Sequence, residues 1–147
     1  MTLKEQLDNA MKQAMKARDD LRLSAVRMIR SLVKNREIEQ KHELDDQGVI
    51  EVISTLVKQR RESIRLYQEG NRQDLVDKEE AELAILLGFL PAQLSPAEIT
   101  ELVARVIGET SAQGIKDMGK VMKVLTPMTT SRADGKTVSE TVKRLLS

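Results

Sequence analysis

The sequence predicts an all-α protein: an N-terminal bundle of about four longer helices, then a small three-helix C-terminal domain. Three observations carry that expectation. Apolar residues recur at three- and four-residue steps in every segment long enough to show a period, and no segment alternates as a strand would. Charged residues make up 32% of the chain and prolines number three, a balance that favours helix. Capping residues and glycine or proline stops fall between the periodic segments at the spacing of ordinary helices.

The first helix is expected over residues 3–18. Thr2 followed by Glu5 has capping-box spacing, and Leu3, Leu7, Ala10, Met11, Ala14 and Met15 form its stripe. The sequence Arg18-Asp19-Asp20 interrupts the period and supplies an acidic cap for a second helix over 21–41, with Val26, Ile29, Leu32 and Val33 inward. On another face of that helix, Arg27, Arg30, Lys34 and Lys41 align. A polar turn over 42–48 offers Asp45 or Asp46 as the next cap. The third helix then runs to about residue 69, with Val49, Ile53, Leu56, Ile64 and Tyr67 inward and Gly70-Asn71 as a stop. The fourth is expected over 73–89. Its first half is acidic, with Glu79, Glu80 and Glu82 read as serving the helix dipole. Its second half, LAILLGFL, is apolar nearly all round and is expected to be the most buried segment.

Pro91 marks the one domain boundary, because proline forces its predecessor out of the helical region. The expected domains are 1–92 and 95–147. Ser95-Pro96-Ala97-Glu98 combines a cap, a proline at the first helical position and an acid at the third, the most specific local signal in the chain. A fifth helix follows to about residue 107, with Ile99, Leu102, Val103, Val106 and Ile107 inward, and Gly108 and Gly114 bracket the next turn. In the tail, Asp117 is expected to cap a helix with the stripe Met118, Val121, Met122 and Leu125, and Pro127 to stop it. A basic, flexible turn over 128–132 leads to Asp134 as a second cap and the stripe Val138, Val142, Leu145 and Leu146.

Composition excludes several classes of function. There is no cysteine, hence no disulfide, thiolate nucleophile or thiolate metal site. No apolar run approaches the roughly 20 residues of a membrane span, and the first twenty residues intersperse apolar and charged positions, unlike a signal peptide. A soluble, cytoplasmic protein with no membrane partner is therefore expected. The net charge of +1 hides a segregation: residues 1–41 carry +4, 42–111 carry −7 and 112–147 carry +4. Two basic ends beside an acidic middle suit contact with a polyanion, as well as balance within the molecule.

Several segments resemble a known family. GKVM, a following proline, and then RADGK-x-V-x-x-x-V-K-x-L are similar to the tail of the YqeY family. VRMIRS, RRESI, RQDLVDKE and FLPAQLS extend the similarity in order over nearly the whole chain. A related domain closes the B subunit of tRNA-dependent Asp/Glu amidotransferases and is appended to some glutaminyl-tRNA synthetases. The resemblance implies association with tRNA or with a tRNA synthetase or amidotransferase subunit. It carries over to Gly119, Lys120, Met122, Arg132, Ala133, Asp134, Gly135 and Lys136. Lys123 and Ser131 stand where relatives commonly have glycine.

The residues themselves do not compose an active site. Amide transfer needs a nucleophile, an activating base and oxyanion donors. The single histidine, His42, sits in a charged turn, and Ser95 is explained as a cap. Lys120, Lys123 and Lys136 lie near Ser131, but nothing there signals the burial that would lower a lysine pKa. Asp45-Asp46 lacks the rest of a calcium loop, and seven glycines without a strand do not make a phosphate loop. No metal and no cofactor are expected.

Duplex RNA is read through phosphates and 2′-hydroxyls, which needs Lys, Arg and backbone N–H groups. Reading single strands needs aromatic platforms, and Tyr67 and Phe89 are the only aromatics. The candidate RNA-binding residues are Lys120, Lys123, Arg132 and Lys136 in the tail and Arg27, Arg30 and Lys34 in the second helix. The expected function is that of a non-catalytic tRNA-binding or tRNA-enzyme-associated protein. The alternatives are a module docking on a synthetase or amidotransferase without RNA contact, and an amide-transferring carbon–nitrogen ligase.

Overall fold

Every helix leaves its first N–H groups without internal partners, and five of the seven helices here answer one of them with the side chain of the residue that precedes the helix. The computed structural model describes residues 1–147 as seven α-helices, with no strand. They form two compact units, Met1–Leu90 and Pro91–Ser147.

In the first unit, α1 (Leu3–Ala17) opens with a complete capping box. Thr2 Oγ1 accepts from the Glu5 amide at 3.2 Å, and the Glu5 carboxylate accepts from the Thr2 amide at 3.3 Å. Arg18 closes it in the left-handed conformation, and Asp19 starts α2 (Asp20–Gln40) by accepting from the Arg22 amide at 3.1 Å. Asp45 caps α3 (Asp46–Glu69) through the Gly48 amide at 2.9 Å. A Cβ on Gly48, in the first turn of α3, would lie 3.0 Å from the Leu44 side chain, which would have to give way. The neighbouring Asp46 crosses to α1, accepting from the Leu3 amide at 3.0 Å. At the far end of α3 it is Asn71, at φ 55°, and not Gly70 that takes the left-handed conformation.

The core of this unit is aliphatic. α3 supplies Val49, Val52, Ile53, Leu56 and Val57, α1 supplies Leu3, Leu7 and Ala10, and α2 supplies Val26, Ile29 and Val33. Leu32, expected inward, is exposed on the flank of the stripe, and Ala25 is buried in addition. The greatest burial also lies elsewhere than expected. In α4 (Gln73–Leu87) only Val76 and Leu86 are fully buried. Leu83, Leu87, Phe89 and Leu90 pack against the core with part of their surface open, and Phe89 lies beneath the Arg22 guanidinium at 5.7 Å. An all-round apolar sequence gives all-round burial only where neighbours surround the helix, and α3 occupies that position.

Glu79 and Glu82 do more than serve their own helix dipole. They flank Arg60 of α3, whose Nε lies 3.3 Å from Glu79 and 2.9 Å from Glu82, with side-chain exposures of only 20%, 16% and 17%. Arg60 Nε makes no aligned hydrogen bond to either carboxylate, so both contacts are charge pairing. Arg60 Nη2 also approaches Met28 Sδ of α2 at 3.3 Å, so one guanidinium of α3 touches two other helices.

In the second unit, α5 (Pro96–Thr110) begins with the capping box as expected: Ser95 Oγ accepts from the Glu98 amide at 3.1 Å and Glu98 accepts from the Ser95 amide at 3.0 Å. The backbone amide of Ser95, then its hydroxyl, hold the Glu98 carboxyl below the usual carboxylate range. The helix runs through Gly108 instead of ending there, and Ser111 at φ 55° closes it. A short 3₁₀ turn, Ile115–Asp117, leads into α6 (Met118–Thr129). Asp117 does not cap α6. Its carboxylate turns back to accept from the Gln113 amide at 2.9 Å. Pro127 lies inside α6 and does not stop it. A proline this close to a helix end removes a single amide, and the Thr130 amide still reaches the Thr126 carbonyl at 3.0 Å. α7 (Gly135–Leu146) is capped by Asp134 through the Lys136 amide at 3.4 Å.

Ile99, Val103 and Val106 meet Val121 and Leu125 and then Val138, Val142 and Leu146 in a second core. Leu145, expected inward, is exposed, and Thr141 is buried in the same stripe with its hydroxyl donating to the Thr137 carbonyl at 2.8 Å. The turn between α6 and α7 is pinned. The Leu94 amide donates to the Arg132 carbonyl at 2.8 Å, Gln93 Nε2 to the Ser131 carbonyl at 2.7 Å, and Arg132 Nε to the Ala92 carbonyl at 3.1 Å. Within it Ser131 holds φ 68°, the region that favours glycine.

Two substitutions test these contacts. Arg60→Ala leaves two half-desolvated carboxylates together and is expected to cost about 1–3 kcal/mol in urea unfolding. Adding Glu79→Gln and Glu82→Gln to that variant should recover most of the loss. Ser131→Gly removes the left-handed penalty and is expected to stabilise by about 0.5–1 kcal/mol, raising the melting temperature.

Candidate nucleic-acid interface

The tail cations occupy three places in the second unit. Lys120 and Lys123 are one turn apart on the face of α6 turned away from Val121 and Leu125, exposed and without an ion pair. Arg132 is exposed in the turn, but its Nε is committed to the Ala92 carbonyl. Lys136 is exposed in the first turn of α7. At about 1.5 Å rise per residue, Lys120 stands roughly 13 Å along α6 from the end at which the turn begins. The structure therefore spreads these four cations along a hairpin and does not gather them at one point.

The cations of α2 are brought together. Arg27, Arg30 and Lys34 line a groove of about 550 Å³ beside α1, and Lys4, Asp8 and Glu37 complete its charged lining. Lys41 takes the left-handed cap of α2 at φ 59° and is not part of the lining. Arg30 Nε pairs with Asp8 Oδ1 at 2.9 Å, and its Nη1 reaches Met11 Sδ at 2.9 Å. Exposed pairs of this kind contribute about 0.2–1 kcal/mol. Lys4 pairs with Glu37, which also accepts from the Leu44 amide at 2.8 Å. Lys4 first, and then the Leu44 amide, hold the Glu37 carboxyl below the usual carboxylate range, so its charge is kept and already answered. Arg27 has no acidic partner. The α2 residues were legible as a ridge of one helix. Lys4 and Asp8 come from another helix, and the only prior signal was their i,i+4 spacing.

His42 is exposed, with Nδ1 2.8 Å from the Glu43 carbonyl. No group of three or more histidines and carboxylates is placed to hold a metal ion.

Comparison with known proteins places this architecture. A family model described as "Yqey-like protein" matches residues 4–146. The mitochondrial protein "Altered inheritance of mitochondria protein 41" of Lachancea thermotolerans is 40% identical over 101 residues, 68% of this chain and 54% of the relative. Its counterpart in Vanderwaltozyma polyspora is 37% identical over 106 residues, 70% and 57% of the two chains. That of Kluyveromyces lactis is 38% identical over 102 residues, 69% and 55%. The chain thus spans about half the length of these curated relatives. Their names overturn the expectation of a cytoplasmic protein, since each is a mitochondrial protein. The inference failed because charged faces and the absence of a helix long and apolar enough to cross a membrane describe a fold, and such a fold serves any aqueous compartment. With the family model matching residues 4–146, nearly the whole chain, this chain belongs to the YqeY family.

Proposed function

We propose that this YqeY-family protein is a non-catalytic tRNA-binding or tRNA-enzyme-associated protein that holds RNA by its phosphates. The observation that carries this reading is the pair of exposed, unpaired cations Lys120 and Lys123 on the outer face of α6, with Lys136 opening α7. Lys120 lies in GKVM and Lys136 in RADGK, where the chain resembles the tail domain of the tRNA-dependent amidotransferase B subunit, and Lys123, at a position where relatives commonly have glycine, adds charge beside Lys120. Phosphate contact needs cations on a rigid element and no aromatic platform, which fits a chain with two aromatic residues.

A second reading has its own observation. Val124 and Met128 are exposed on α6, four residues apart and next to the lysines. A mixed apolar and basic stripe of this kind suits docking on a synthetase or amidotransferase subunit without RNA contact.

Salt dependence separates the two. Replacing Lys120, Lys123 and Lys136 together by alanine is expected to flatten the slope of log affinity for tRNA against log salt by roughly two to three units, at about 0.7–0.9 per lost contact. Arg132 is left in place because it holds the turn. Circular dichroism should be unchanged, since none of the three lysines lies in the core. An unchanged slope, together with loss of partner binding in Val124→Glu, would establish the docking reading instead.

A further inference from the structure

The α1–α2 groove has a charge balance that its sequence alone does not reveal. Four cations line it against two carboxylates. Glu37 is already satisfied by Lys4 and by the Leu44 amide. Asp8 answers Arg30 alone. Arg27 has no acidic partner, and Lys34 faces only the carboxylate that Lys4 holds. The groove therefore keeps an excess of positive charge on one wall.

We propose that this groove is a binding site for one phosphate group, gripped by Arg27, Arg30 and Lys34, with Asp8 as a built-in competitor for Arg30.

The three gripping residues fall at i, i+3 and i+7 on α2, which puts them on one stripe spanning roughly 10 Å of helix. Long side chains converge from such a stripe on an anion the size of phosphate. A guanidinium presents paired N–H donors that match a carboxylate or a phosphate equally well. The Asp8 carboxylate thus occupies the position of a phosphate edge against Arg30 Nε. With Arg30 43% and Asp8 51% exposed, this pair sits in water and is readily exchanged for an anion of higher charge. Leu7 and Val33 add apolar lining beside the cations, so the ligand can carry a non-polar portion next to its phosphate. The volume of about 550 Å³ exceeds that of phosphate alone and lies within the range of small-molecule sites. Two sources share this chemistry: a phosphorylated small molecule and the phosphate backbone of RNA. The site stands on the geometry of the first unit and does not depend on the tail lysines.

The test uses the full chain and inorganic phosphate at low ionic strength, followed by NMR of the arginine Nε–Hε signals. Saturable shifts are expected at Arg27 and Arg30 and not at Arg105, which sits in α5. Arg27→Gln combined with Lys34→Gln should weaken binding at least about tenfold, and Asp8→Asn should tighten it about threefold. Arg27 and Lys34 are exposed and Asp8 is half-buried, and circular dichroism checks that each variant folds. If the double variant is unfolded, Asp8→Asn alone decides. Absence of a saturable shift, a shift indifferent to the folded double variant, or weaker binding in Asp8→Asn would overturn the proposal. A short RNA hairpin then identifies the source. Displacement of phosphate by the hairpin, lost in the double variant, supports the site as a backbone contact. Phosphate retained in the presence of the hairpin supports it as a site for a small phosphorylated molecule. The Lys120, Lys123 and Lys136 variant should bind phosphate in the groove as the wild type does, whatever its effect on RNA.

Discussion

Aliphatic side chains attract one another without regard to angle, and this chain has only Tyr67 and Phe89 to add direction to its packing. A bundle of valines, leucines and isoleucines gains stability from burial but little that distinguishes one helix register from the next. Direction comes from polar groups at the margins of each core. Arg60 fixes α3 against α4 through two glutamates. Glu37 ties the end of α2 to the turn that follows by accepting from Leu44. In the second unit, Arg132, Ser131 and their partners in residues 92–94 close the turn between α6 and α7. In each case a group with strict geometric demands sits where sliding helices would break it.

The fold was legible to the degree that its signals were local. Thr2 with Glu5, and Ser95 with Glu98, form their capping boxes because each needs only four adjacent residues. The misses share a different property. Asp117 has two amides within reach, and only tertiary placement decides that Gln113 wins. Gly108 and Pro127 are weak breakers where packing on one side, or nearness to a helix end, offsets their cost. Arg60, Glu79 and Glu82 are about twenty residues apart in sequence, and no period connects them. Ser131, where the resemblance implies a glycine in relatives, by contrast has a physical meaning in the structure. The residue sits at φ 68°, where glycine is the natural occupant.

The candidate site divides along the same line. Arg27, Arg30 and Lys34 could be read as a ridge because helical spacing alone aligns them. That the ridge is one wall of a groove, and that Lys4 and Asp8 enter its charge balance, required α1. The tail lysines were found by resemblance to a family motif, and the structure distributes them along a hairpin. A motif preserves order in the chain, and order in the chain does not ensure convergence in space.

The contact between Asp46 and the Leu3 amide bears on how the molecule opens. The first turn of a terminal helix ordinarily frays by itself, because its leading amides face water. Here the leading amide of α1 lies in a carboxylate from the first residue of α3, 43 positions away. Unwinding the start of α1 therefore strands an acid at the start of α3, and unwinding α3 strands an amide of α1. One hydrogen bond thus favours the opening of the two segments together. The first turn of α1 is thereby anchored to the helix that supplies Val49, Val52, Ile53, Leu56 and Val57 to the core.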